Sequence, residues 1–507
     1  MELYSILLQT EQRCPDNTAY VYEGSSFTYR EFLQGSNIVG HGLIQRGFAE
    51  RQNVALLTPN TPHFVFGLFG LLGAGHIAVP LNPLLNPHEI GHLIRHAEPR
   101  VLLYDPLLKE KAEQAVRDSG HPVECLSISD LLRVASPDTS SFTPTVGEDD
   151  PSMILYTSGT TGDPKGVVLT HKNIYSNTVS FSRALDLRET DTFLCCLPLY
   201  HTYAMTVIVF GSLLMGARVI LYPQFVPQRI LEAFVTEPNI VFAAVPPMFF
   251  MVTRFAPDDI AGRHHLRFMV SGGGPLPVDV AIAFQKKFNH EILEGYGLTE
   301  TSPVVAYNRP GQNQLGTIGP PLPGVEVEIR NEAGEVLGPN QIGELCVRGD
   351  LVMKEYYKNE EETRRVFYPG GWLRTGDLAS IGEDGYIKIV GRLKDLIVCG
   401  GENIYPREIE ETLMKYPGVL EAAVVAKPNK LRSEVPQAFV VLAEEAKGKV
   451  TESDLRKFCR EYLAEYKIPE EFTFLDAMPK TAKGTIEKKE LRRWAAAGID
   501  AQSNAPA

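Results

Sequence analysis

The segment YTSGTTGDPKG, from Tyr156 to Gly166, concentrates groups that bind an anion. Gly159 and Gly162 permit the left-handed or strained dihedrals that let a loop fold its backbone N–H groups around an oxyanion. The hydroxyls of Thr157, Ser158, Thr160 and Thr161 add donors, and Lys165 adds a point charge. A polyphosphate is the natural ligand for such a set. The spacing is not that of a Walker A loop, which needs Gly, four residues, then Gly-Lys-Ser/Thr. Here Gly162 is followed by Asp163, Pro164, Lys165 and Gly166. A Gly/Ser/Thr surface turn is the competing reading. The number of phosphate donors around one lysine favours phosphate binding.

Other stretches carry chemistry of their own. Gly272, Gly273 and Gly274 follow an apolar run from Phe268 to Ser271, and consecutive glycines let a flat ring lie against bare backbone. Tyr296, between Gly295 and Gly297, can offer a ring face for a purine to stack on. Glu300 is a loop carboxylate, and Mg²⁺ takes hard oxygen ligands, commonly one or two carboxylates plus phosphates. Asp377 ends Trp372-Leu-Arg-Thr-Gly-Asp, where a tight turn can present a carboxylate to two hydroxyls. His201 follows the apolar run that starts at Phe193 and ends in Pro198. For each, a tight turn, a solvated side chain or a structural histidine is the alternative.

The elements that must position these groups alternate. Tyr29 to Arg46 reads as an amphipathic helix ended by Gly47, Asn53 to Thr58 as a strand, Pro62 to Gly75 as a buried helix and His76 to Val79 as a strand. Pro87 to His96 and Arg100 to Tyr104 repeat the pattern, which predicts an α/β fold of helices layered on mainly parallel sheets. Met153 to Tyr156 is a strand that ends in the anion-binding loop. That loop is expected to hold no regular structure, and the chain after it leads into a helix near His171. Met205 to Met215 is expected to be a core helix. Val241 to Pro247 reads as a strand followed by a helix to Phe255. Val325 to Ile329 and Glu344 to Val347 alternate at period two, so a small β subdomain follows. The C-terminal part reads β-α-β-α, and residues after about Ala495 are expected to be disordered.

Composition bounds the function. A chain of 507 residues exceeds one ordinary core. A net charge of −13 argues against a nucleic-acid surface. The 7 cysteines include no CxxC pair, and Cys195-Cys196 is the one adjacent pair, which suits a reducing cytoplasm. The N-terminus lacks the basic and apolar regions of a signal peptide. The longest apolar runs, Phe64 to Ala74 and Met205 to Met215, fall short of the ~20 residues that span a bilayer.

The loop from Tyr156 resembles the phosphate-loop signature of the adenylate-forming superfamily: acyl-CoA synthetases, peptide-synthetase adenylation domains and luciferases. Among these the chain is most like bacterial fatty-acid–CoA ligases. Further motifs follow in that family's order. Glu294-Gly-Tyr-Gly-Leu-Thr299-Glu300 is similar to its GYGxTE pattern. Gly391-Arg-Leu-Lys-Asp-Leu-Ile and Gly400-Gly401 onward to Pro406 are similar to its hinge and pantetheine-tunnel motif. The resemblance implies a large N-terminal α/β domain with a small β subdomain and a small mobile α+β C-terminal domain, spanning 1–392 and 393–507. It implies that ATP is held by the loop and Lys165, by Gly272 to Gly274 against adenine, and by Glu294, Gly295, Tyr296, Gly297 and Thr299. Glu300 would hold Mg²⁺, Asp377 the ribose, and Arg392 the ribose or α-phosphate. Lys394 would be the hinge, Gly401 would belong to the tunnel for coenzyme A, and His201 would gate the acid.

One motif departs. The family's last signature reads Pro-x-Thr-x-x-Gly-Lys-Ile/Val, and its lysine bridges the carboxylate and the α-phosphate. Here Pro479 to Ile486 places Thr485 at the lysine position, and Lys483 lies two residues earlier. Lys483 is the candidate replacement, because a phosphoryl transition state benefits from a nearby cation. The reading is an AMP-forming acid–thiol ligase taking a carboxylic acid, ATP and coenzyme A. No charge falls in the apolar stretches Met205 to Met215 and Phe242 to Met251, which favours an aliphatic or aromatic monocarboxylate over an amino acid; a medium- or long-chain fatty acid is the first choice, with a coumarate- or benzoate-type acid next. An acyl-AMP ligase serving a carrier protein, a luciferase-like oxygenase and a non-catalytic acyl-nucleotide binder are the other classes. Peripheral membrane contact stays open, as does the oligomeric state, with a homodimer the first candidate.

Overall fold

The computed structural model describes residues 1–48, 51–134, 137–157, 165–399, 402–429, 431–480 and 486–497. The chain forms two compact units. One comprises Met1–Val327 and Val347–Arg374, the other Glu328–Cys346 and Thr375–Ala507.

The first unit is built on two sheets. Seven strands lie in the order Glu355–Tyr356, Lys165–Thr170, Pro151–Thr157, Ile77–Pro80, Asn53–Leu57, Val101–Tyr104, Glu124–Ser127. The pairings among Ile77–Pro80, Asn53–Leu57, Val101–Tyr104 and Glu124–Ser127 are parallel. Their apolar runs are buried, as a sheet covered on both faces demands. Two helices of this unit start where the sequence supplies caps. Thr28 and Glu31 form a capping box for Tyr29–Ile44, and Asn86 and Glu89 form one for Pro87–Ala97. Pro62–Gly73 is buried along its whole length apart from His63, which hydrogen-bonds Asp105.

Eight strands form the other sheet: Val304–Tyr307, Ile292–Gly297, Leu266–Ser271, Ile240–Ala244, Thr192–Cys195, Arg218–Leu221, Thr18–Tyr22 and Ser25–Thr28. The four from Ile292–Gly297 to Thr192–Cys195 are mutually parallel, with Ala244, Ser271 and Glu294 in register. Ligands of open parallel sheets lie beyond the carboxyl ends of the strands, so this edge is where the site belongs.

Several expectations need correction. The anion loop does not simply join a strand to a helix. Lys165–Thr170 is a strand, antiparallel to Pro151–Thr157 with Thr157 opposite Lys165, and the helix His171–Ala184 follows. Lys165 is therefore fixed in a β-ladder. Met205 to Met215 is a buried helix as expected, but it is not α-helical throughout. Ala204–Phe210 is a π-helix, with the Gly211 N–H reaching Thr206 O, and α-helix resumes over Gly211–Met215. Thr206, Val207, Ile208 and Val209 are β-branched and crowd an α-turn, and π-turns often mark functional sites. No helix among the described residues is long and apolar enough to cross a membrane.

In the second unit, Glu402–Ile404, Ile397–Cys399, Ser433–Leu442 and Val419–Asn429 form a sheet, and Glu471–Leu475 joins it parallel to Ser433–Leu442. Helices Pro406–Leu413, Glu452–Tyr462 and Lys488–Ala497 accompany it. The predicted β-α-β-α order thus omitted strands, and the last helix runs to Ala497. The chain beyond residue 497 lies outside the described residues.

Candidate functional site

Four parallel strands deliver their ends to one edge. Thr192–Cys195 leads to His201, Ile240–Ala244 to Val245, Leu266–Ser271 to Gly272–Gly274, and Ile292–Gly297 to Thr299 and Glu300. Gly273 adopts a φ of +74°, a left-handed conformation that favours glycine. A Cβ on Gly272 would lie 3.0 Å from the ring of Tyr203, while one on Gly274 would meet nothing within 4 Å. Bare backbone thus faces open space at Gly274. The buried Ser271 hydroxyl beside it has no hydrogen-bond partner among the described residues. That edge fits a flat, polar heterocycle.

Sequence reasoning missed Tyr203. Its phenol donates to Val270 O at 3.0 Å, and its ring closes the space beside Gly272. The Tyr203 N–H donates to His201 Nδ1 at 3.3 Å, so that nitrogen is an acceptor. The half-buried His201 is held at the carboxyl edge, where an acid gate would stand. Glu294 is 6% exposed and accepts the Leu276 N–H at 3.0 Å. It thereby ties the segment after the glycine turn to its neighbouring strand, a positioning role. Gly295 and Gly297 flank the half-buried Tyr296. A Cβ on Gly297 would sit 1.9 Å from Pro303 O, so only glycine fits there. Thr299 opens the short helical turn Thr299–Thr301 that carries Glu300.

Glu300 and Lys165 are joined through a residue that sequence reasoning did not single out. The short strand Glu355–Tyr356 pairs antiparallel with Lys165–Thr170, with Tyr356 opposite Val167. The Tyr356 phenol donates to Glu300 Oε1 at 2.8 Å, and Lys165 Nζ lies 5.2 Å from the centre of the Tyr356 ring. Burial first, and then the Glu300 charge, push the Tyr356 pKa well up, so the phenol stays a neutral donor. Lys165 Nζ also pairs with Glu362 Oε1 at 2.6 Å. A nucleotide-bound Mg²⁺ needs one or two protein carboxylates and completes its octahedron with phosphates and water. Glu300, half-buried and hydrogen-bonded through one oxygen, fits that demand. At the root of the loop, Tyr156 OH and His96 Nδ1 share a 2.7 Å hydrogen bond, and Thr157 ends its strand.

In the second unit, the strand Trp372–Ile381, from Thr375 on, pairs antiparallel with Ile387–Arg392, with Asp377 opposite Arg392. Gly376, at a φ of +72°, makes the turn-like kink. Glu344 accepts the Gly376 N–H at 3.2 Å, and Thr375 Oγ1 donates to Leu345 O and accepts the Asp377 N–H. Glu344 and Thr375, which the sequence reading placed in a strand and a turn without a role at the site, therefore fix the Asp377 backbone. Arg392 Nε lies 3.6 Å from Asp377 Oδ1. Lys394 sits in the turn Leu393–Asp395. Loss of hydration, and next the Arg392 charge, hold its pKa below the ordinary lysine value. Ser158, Gly159, Thr160, Thr161, Gly162, Gly401, Lys483 and Thr485 lie outside the described residues.

Residues 7–357 match the family model for AMP-binding enzyme, and residues 408–485 match that for the AMP-binding enzyme C-terminal domain. The chain belongs to the AMP-binding enzyme family. This AMP-binding enzyme is 33% identical to a long-chain-fatty-acid–CoA ligase of Bacillus subtilis (strain 168), over 96% of this chain and 94% of that one. It is 35% identical to a feruloyl-CoA synthase of an Amycolatopsis species, over 94% of this chain and 96% of that one. Among solved structures, ATP-bound MatB from Rhodopseudomonas palustris superposes with a TM-score of 0.90 at 30% identity, covering 97% of this chain and 99% of that one. The o-succinylbenzoate CoA synthetase of Bacillus subtilis with its acyl-adenylate gives 0.87 at 30% identity, over 97% and 98%. The adenylate-forming resemblance and the mixed α/β architecture hold.

Proposed function

We propose that this AMP-binding enzyme is an acyl-CoA synthetase that joins a monocarboxylic acid to coenzyme A through an acyl-adenylate. A carboxylate oxygen attacks the α-phosphorus of ATP, the bond to the β-phosphate oxygen breaks, and pyrophosphate leaves with the electron pair. The thiol sulfur of coenzyme A then attacks the acyl carbon, the acyl C–O bond breaks, AMP leaves, and the thiol proton passes to solvent. No protein nucleophile is needed, and the work is positioning and charge neutralisation. The observation that carries the reading is the Tyr356–Glu300 hydrogen bond, which links the strand beside Lys165 to the carboxyl edge at Thr299 and Glu300.

Roles follow from the family pattern. Lys165 holds the β- and γ-phosphates, and the glycine turn with Tyr296 receives adenine. Glu300 is the ligand for Mg²⁺, which when bound neutralises phosphate charge. Asp377 holds the ribose, Arg392 holds the ribose or α-phosphate, and His201 gates the acid. The functional boundary lies at 392–394, with Lys394 as the hinge.

A medium- or long-chain fatty acid is the first choice of substrate, in line with the uncharged stretch Phe242 to Met251 and with relatives named as long-chain-fatty-acid–CoA ligases. One observation favours an aryl acid instead. Met205 to Phe210, Phe242 and Phe249 are spent in the hydrophobic cores, and the Tyr203 ring closes the space beside Gly272, which suits a flat, compact acid. Relatives include feruloyl-CoA synthase and 4-coumarate–CoA ligase. Pyrophosphate release with Mg·ATP across fatty, aryl and amino acids, with and without coenzyme A, separates these. Release with fatty acids and a coenzyme A-dependent thioester supports the first choice, and release confined to aryl acids supports the second. Thioester-free release from either class points to a carrier-protein acceptor, and silence across the panel overturns the function.

A further inference from the structure

The ammonium assigned to the phosphates already has a carboxylate partner. Lys165 Nζ lies 2.6 Å from Glu362 Oε1, and the two side chains are only 16% and 22% exposed. In the sequence, Glu362 is the last of the run Glu360-Glu361-Glu362. The structure sets it apart. It is the third residue of helix Glu360–Arg365, and its N–H donates to the Asn359 side chain that caps the helix. Thr363 Oγ1 accepts the Tyr356 N–H at 2.9 Å, which fastens that helix to the strand beside Lys165–Thr170. The pair is thus built by the backbone on both sides. Across it, on the next helical turn, Arg365 Nη1 lies 3.9 Å from Glu362 Oε2, and the Arg365 side chain is 74% exposed.

We propose that Glu362 is a resident counter-ion that polyphosphate must displace from Lys165, and that it thereby sets the affinity for ATP and eases the release of pyrophosphate. The proposal rests on the reading of Lys165 as a phosphate-binding lysine. One ammonium cannot give its full charge to a carboxylate in contact and to a phosphate. A polyphosphate carries more charge and more acceptor oxygens, so it wins, but its apparent affinity falls by the strength of the pair it breaks. Arg365 receives Glu362 when Lys165 lets go. When pyrophosphate forms, return of Glu362 to Lys165 favours its departure. A partly shielded ion pair of this kind changes an equilibrium by about fivefold.

The test is equilibrium binding of Mg·ATP and of Mg·pyrophosphate to the full chain, measured by calorimetry without any acid. Glu362→Gln is expected to tighten both by about fivefold and to steepen their dependence on salt, since the competing ion pair that salt also screens is gone. Glu362→Ala is expected to move both in the same direction. A Kd for ATP that stays the same or rises in both variants, while Lys165→Met weakens binding, overturns the counter-ion role and leaves the phosphate reading of Lys165 in place. Unchanged binding in Lys165→Met overturns the phosphate reading and the counter-ion role with it.

Discussion

Lys483→Ala is expected to lower acyl-adenylate formation by about 10²- to 10³-fold while leaving thioester formation from supplied acyl-adenylate near its normal rate. The first half-reaction brings a carboxylate and a phosphate together, two negative groups, and its transition state spreads charge over the phosphoryl oxygens. The family meets this with a lysine in the last signature, and here that position is Thr485. Nearby lysines are committed elsewhere in the second unit. Lys480 pairs with Glu421, and Lys488 pairs with Glu410 at 2.6 Å. Lys483, the remaining lysine within the signature stretch, lies outside the described residues. Placing the missing lysine in the double variant Lys483→Ala/Thr485→Lys should restore adenylation. Unchanged adenylation in Lys483→Ala contradicts the assignment, and the two half-reactions, assayed apart by pyrophosphate release and by thioester formation, read it.

Asp377→Ala should instead depress both half-reactions, each by about 10²-fold, because the ribose is held in ATP and in acyl-AMP alike. The carboxylate is buried, and its backbone is fixed by Thr375 and by the Glu344-bonded Gly376, so the turn keeps its shape without the side chain. Two charge-assisted hydrogen bonds to hydroxyls, each at the lower end of the range of about 1.5–3 kcal/mol, give a loss of this size. A loss confined to adenylation would mean that Asp377 acts on the triphosphate end, and no loss would remove it from the nucleotide site. The contrast with Lys483 separates a group that binds nucleotide throughout from one that acts in a single step.

Much of this was legible in the sequence, for physical reasons. Asn53–Leu57, Ile77–Pro80 and Val101–Tyr104 are short apolar runs punctuated by Gly and Pro, and two of the neighbouring helices carry capping boxes, so local signals agreed with the final sheet. The glycine turn and the Glu300 loop were visible as turns in the composition, and their expected roles came from the resemblance of the surrounding motifs. Contacts made at long range did not. Lys165 and Glu362 are 197 residues apart, and the strand that brings them together is only the two residues Glu355–Tyr356. Ser433–Leu442 is missing from the expected β-α-β-α order; it carries Pro436, which local rules place away from a central strand, yet Pro436 sits opposite Ala426 in the ladder. Glu344 and Tyr203 gave no signal of a place at the site, since each acts on distant backbone: Glu344 on the Gly376 N–H and Tyr203 on Val270 O.

The central claim is that the acid's own carboxylate oxygen attacks the α-phosphorus of ATP. Turnover of a carboxylic acid labelled with ¹⁸O in its carboxylate, with Mg·ATP and coenzyme A, tests it most directly by mass spectrometry of the products. The account predicts AMP that carries one ¹⁸O and pyrophosphate that carries none. Label in phosphate or pyrophosphate, with unlabelled AMP, would contradict it.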